Sequence, residues 1–132
     1  MIATTREQSE RLIKCGVPSE TGDMFRSATN NLGVGNYYQA YSFPDIPAWS
    51  LSKLFELLPK IIESLEEDLP DCLKDVEYGF MIKYSAEDVK VGYYDCYGMA
   101  LFDVDGKDVI ELCVQTIEWL LTNGYKLNNS EE

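Results

Sequence analysis

Apolar positions along this chain recur at two spacings, and the switches between them mark out its elements. Residues 5–15 are mostly polar with Leu12 and Ile13 as an apolar edge. Thr4 or Thr5 stands where a helix cap belongs, and Glu7 and Gln8 fill the matching capping-box positions. Gly16 followed by Val17-Pro18 ends that helix. A short helical turn is predicted from Ser19 through Glu20 to about Phe25. Residues 27–36, SATNNLGVGN, read as a loop, because three Asn and two Gly there favour turns over a regular element. Residues 37–43 are aromatic and predict a short strand, stopped by Pro44 and Pro47.

Ser50 opens the clearest helical pattern. Leu51, Leu54, Phe55, Leu58, Ile61, Ile62 and Leu65 fall three and four apart, which predicts one apolar face. Pro59 interrupts it, removing a backbone donor and clashing with the preceding turn, so a kink or two abutting helices are expected there. Beyond Pro70 the period changes to two. Val76, Tyr78, Phe80, Ile82 and Tyr84 alternate with Glu77, Gly79, Met81 and Lys83, as in a strand with one buried face. Turns at Ser85–Asp88 and Asp95–Gly98 lead into strands over 89–94 and 99–104, an antiparallel meander. A last helix is predicted over 107–123, with Ile110, Cys113, Val114, Ile117, Leu120 and Leu121 inward, Asp105 or Asp108 at its start and Gly124 at its stop.

This order predicts an α+β fold: an antiparallel meander of three to four strands with helices packed mainly on one face. One domain spans residues 1–132, with about 1–4 and 128–132 frayed. The other sheet face is expected to carry Met81, Tyr94 and Phe102 beside Gly79, Gly92 and Ala100. That surface calls for cover, either from the N-terminal segment, the favoured option, or from a second subunit. The chain is therefore expected to be a monomer or a homodimer.

Composition changes this picture mainly through charge. Hydrophobic residues make up 45% and charged residues 26% of 132 residues, as in a globular chain rather than a disordered one. The net charge is -12 and the pI near 4.3. Such a field repels nucleic acid and anionic lipid and favours a basic partner. Solubility is the plainer explanation of the same charge. Cys15, Cys72, Cys96 and Cys113 form no C-x-x-C pair, and no signal peptide is legible at the N-terminus, so reduced thiols in a cytoplasmic protein are expected. No apolar run is long enough to cross a membrane.

The chain contains no histidine, which removes Ser-His-Asp and Cys-His nucleophile systems, His metal sites and His general bases. Phosphate-binding glycine loops are absent too. Asp103, Asp105 and Asp108 are candidate ligands for a hard cation. Gly106 comes too early for an EF-hand loop, and a strand end, turn and helix cap require the same residue types. Glu63, Glu66, Glu67, Asp68, Asp71 and Asp75 form an acidic stretch that could dock a basic protein, although charge runs usually mean a solvated face. Tyr37, Tyr38, Tyr41 and Trp49 flank two prolines and are candidate interface aromatics, with core packing the alternative.

Three stretches carry a resemblance: TREQSERL from Thr5 with CGVP from Cys15, PAWSLSKLFELLPK from Pro47, and IEWLLTNGY from Ile117. Together they resemble small uncharacterised proteins of gut Bacteroides-type bacteria and their prophages. The resemblance implies a bacterial cytoplasmic setting and brings no catalytic residue with it. The function expected from the sequence is thus non-enzymatic binding of a basic protein, with no cofactor. The alternative is a small-ligand binder, or an enzyme using a carboxylate or cysteine site.

Overall fold

The computed structural model describes residues 3–27, 29, 31–34, 45–65 and 76–128. Helix α1 (Arg6–Cys15) begins at a capping box, in which the Thr5 side chain accepts from Gln8 N–H and the Gln8 side chain accepts from Thr5 N–H. It ends on Gly16 at φ 115°, the left-handed conformation glycine adopts without a Cβ penalty. A 3-10 turn (Ser19–Thr21) then leads into β1 (Met24–Arg26), which pairs antiparallel with β2 (Leu32–Val34) and β3 (Ile46–Ala48) in the order β2-β1-β3. Met24–Phe25 are thus strand rather than helical turn, and Leu32–Val34 are strand rather than loop. Three-residue strands are too short for alternation to register. Pro47 lies inside β3, tolerated because β3 is an edge. The strand predicted over 37–43 falls outside the described residues.

Ser50 caps helix α2 (Leu51–Leu57) by accepting from Lys53 N–H. Here the structure corrects the helical pattern. The helix stops at Leu58, and Ile61–Glu63 form strand β4. Proline at 59 breaks the ladder, its carbonyl accepts the Tyr93 hydroxyl at 2.7 Å, and Ile62 alone of the two isoleucines enters the core. Asn128 completes the break by donating from Nδ2 to the carbonyls of Glu56 and Leu58.

Strands β5 (Glu77–Tyr84), β6 (Val89–Tyr94) and β7 (Ala100–Gly106) form the expected meander, and β4 adds to its edge in the order β4-β5-β6-β7. Helix α3 (Val109–Thr122), capped by Asp108 accepting from Ile110 N–H, lies against β6 and β7. The core joins Val91 and Tyr93 to Ile110, Cys113, Val114, Ile117 and Leu120, with Leu54, Leu57 and Trp49 beside them. Each fully buried aliphatic side chain contributes about 1.5–3 kcal/mol.

A β-bulge between Tyr93 and Tyr94 explains a second correction. Tyr94 pairs with Ala100 and Tyr93 with Phe102, so one extra residue on β7 reverses its faces. Phe102 lies on the side of Tyr93 and Val104, half-buried and stacked on Trp119 of α3 with centroids 4.5 Å apart. On the opposite face Tyr94 is only 5% exposed, yet α1 packs on α3 rather than over it. Lys83 Nζ sits 3.8 Å from the Tyr94 ring centroid and Asp103 accepts its hydroxyl at 3.1 Å. Burial and that carboxylate push the Tyr94 phenol up to about 12. No helix among the described residues is long and apolar enough to cross a membrane.

Candidate functional site

The residues singled out in the sequence are not gathered in one place. Trp49 is fully buried and its indole N–H donates to Thr21 Oγ1 at 2.9 Å, so it is a core residue and not an interface aromatic. Trp49 follows edge strand β3 and is held inward by Thr4, whose Oγ1 accepts its N–H at 3.0 Å and whose own N–H donates to its carbonyl at 2.9 Å. Tyr37, Tyr38 and Tyr41 lie outside the described residues, as do Glu66, Glu67, Asp68, Asp71 and Asp75. Glu63 is exposed on β4, directly opposite Glu77 on β5. Like charges on facing rungs repel.

The three aspartates considered for a cation have separate duties. Asp103 holds the Tyr94 hydroxyl, Asp105 is exposed two residues further along β7, and Asp108 caps α3. No group of three or more acidic or thiol ligands comes together among the described residues. Cys15, Cys96 and Cys113 are free thiols, and burial pushes Cys113 up to about 12.

The densest polar cluster joins α1 to α3. Arg11 donates to Glu111 at 2.9 Å and grips Glu118 through Nε and Nη2 at 3.1 and 2.7 Å. Gln8 and Gln115 donate to the two Glu111 oxygens. Burial would raise the Glu111 carboxyl, but hydrogen bonds from Arg11, Gln115 and Gln8 outweigh it and hold it below the usual range. All of these groups satisfy one another, which makes the cluster a seam between helices.

Open concave surface occurs where α3 ends. Gly124 adopts φ 90°, with Tyr125 N–H bonding to Leu120 O and Gly124 N–H to Leu121 O, the paired bonds of a Schellman stop. That stop brings residue 125 back over the last turns, so Tyr125 stacks on Trp119 with centroids 5.3 Å apart and an interplanar angle of 23°. Phe102, Trp119 and Tyr125 thus form a three-ring stack running from core to surface. One hollow of about 310 Å³ lies between Ser64, Leu65, Leu101, Trp119, Asn123 and Tyr125. A second, of about 460 Å³, adjoins it along β4, where Ile61, Glu63, Leu65, Tyr125 and Lys126 contribute. The Tyr125 hydroxyl accepts from Leu65 N–H at 3.2 Å and ties the two walls together.

Sequence reasoning missed this groove. Trp119 falls off the inward stripe of α3, two residues past Ile117, and a large aromatic at that position followed by Asn-Gly-Tyr was the available signal. In comparisons with known proteins, no family model matches the chain, and neither do curated proteins nor solved structures.

Proposed function

We propose that this chain is a non-enzymatic, cytoplasmic binding protein of a bacterium or its mobile element, and that its partner is a protein with a basic surface. The supporting observation is where its arginines go. Arg6 donates to the carbonyls of Arg26 and Ser27, Arg26 is buried and donates to those of Thr4 and Ala3, and Arg11 is held by two glutamates. The three guanidinium groups thereby serve the fold, and the surface offset to 23 carboxylates falls to the lysines. Glu63, Glu77, Glu87, Asp103 and Asp105 are all exposed.

The enzyme reading has weaker support. Among the described residues, the groups whose protonation is displaced lie in the α1–α3 seam, in the core, under Lys83 or, for Arg26, against the carbonyls of Ala3 and Thr4, and none of them lines the groove.

The test is a pull-down from bacterial lysate at low salt, with eluted proteins identified by mass spectrometry and their binding repeated across a salt series. One dominant basic partner whose affinity falls steeply with salt is the expected result. A partner held equally well at all salt concentrations, or none, would overturn the electrostatic reading.

A further inference from the structure

We propose that the groove between β4 and the end of α3 receives an arginine side chain from a basic protein segment, with the guanidinium against the Tyr125 ring. This rests on the binding role proposed above and names its site. Four observations converge. The groove is lined by stacked aromatics, and a guanidinium is the cation that lies flat on such rings while its stem covers apolar wall, here Leu65 and Ile61. Leu65 and Ile61 are 55% and 57% exposed, so the apolar wall they form is open to the alkyl stem of an incoming side chain.

The electrostatics point the same way. The groove lies at the negative end of the α3 dipole, and the last turn of that helix carries no basic residue. Glu63 lines the outer part and faces Glu77, a like-charged rung that a cation relieves. A lysine offers the same charge but a compact, strongly hydrated head that stacks poorly, which is why arginine is the better fit. Lys126 lines the outer groove and opposes the incoming charge, so its removal is a gain-of-binding test.

Trp119 supplies the readout. The other tryptophan, Trp49, is fully buried and shielded from added ligand, so a change in indole fluorescence on titration reports Trp119. The probes are a six-residue arginine peptide, the lysine peptide of equal charge and a citrulline peptide of equal shape, at low salt. The arginine peptide is expected to bind at least about threefold more tightly than the lysine peptide, and the citrulline peptide not at all. Tyr125→Leu, which keeps apolar volume and removes the ring, should weaken arginine-peptide binding about tenfold, and Tyr125→Phe should retain it. Lys126→Gln should tighten it about threefold. Thermal melting of each variant identifies any loss of fold. If the peptide binds wild type and folded Tyr125→Leu alike, the groove is not the site while the acidic binding role stands. If wild type binds neither basic peptide, both readings fall.

Discussion

Replacing Arg11 by alanine tests whether the α1–α3 seam holds the fold together. The side chains of Arg11, Glu111 and Glu118 are 30%, 28% and 31% exposed, between the fully wet pairs that contribute almost nothing and the buried ones whose disruption is severe. The fork makes three hydrogen bonds to two carboxylates. Allowing about 1 kcal/mol for each carboxylate, plus the packing of the stem, predicts a loss near 2 kcal/mol. For a chain of this length that lowers the melting temperature by about 6–10 °C. Glu118 takes two of the three hydrogen bonds, which makes it the partner to pair with Arg11. A double-mutant cycle of Arg11→Ala with Glu118→Gln should give a coupling of about 1 kcal/mol by urea unfolding. It should survive at about 0.5 M salt, where a diffuse charge effect is screened away. A loss below about 0.5 kcal/mol, or additive substitutions, would refute the reasoning.

Other outcomes follow from single contacts. Tyr93→Phe strips the Pro59 carbonyl of its donor in the core and should cost about 1–2 kcal/mol by urea unfolding. Gly92→Ala places a Cβ against the Phe102 carbonyl and 2.7 Å from Asp103 Cα, a backbone collision expected to cost at least about 2 kcal/mol, whereas Gly79→Ala meets nothing nearer than 3.9 Å and should be nearly neutral in the same thermal melt. Because the Glu111 carboxyl sits lower in the folded state than in the unfolded one, its contribution is complete above the ordinary carboxylate range and fades as pH falls through the folded value. The stability gap between wild type and Glu111→Gln should accordingly shrink below about pH 4 in melts across a pH series.

The long elements were legible because their periodicity is dictated by the faces they bury. Phe80, Ile82, Val91 and Val104 meet the core as alternation predicts, and Ile110 to Leu120 do so at helical spacing. Local capping chemistry was equally plain at Thr5, Gly16, Ser50 and Gly124. Ile61 and Ile62 misled, since continuation of a helical spacing past Pro59 carries no information once the ladder is broken; β-branched residues after a proline fit a strand better. Phe102 was grouped with Ala100, although it lies two residues from Val104 in unbroken register and so shares its side; the bulge, a pairing event invisible to either strand alone, moves Ala100 across to the side of Tyr94. The groove was hidden for a related reason. Its walls come from residues 61–65, 101 and 119–126, and only the Schellman turn at Gly124 folds Tyr125 back over Trp119.

The helical seam also sets an order of events during synthesis. Gln8 and Arg11 find their carboxylate partners 100 to 107 residues later in the chain. At a translation rate of about 5–20 residues per second, α1 waits roughly 5–20 s after leaving the ribosome before Glu111 and Glu118 exist to meet it. A helix of 10 residues is marginal on its own, so over that interval the segment is largely uncoiled despite its capping box. Each hairpin of the meander, by contrast, joins strands a few residues apart and forms as soon as it is made. Helix α1, made well before its partners, is therefore among the last of these elements to be fixed in place.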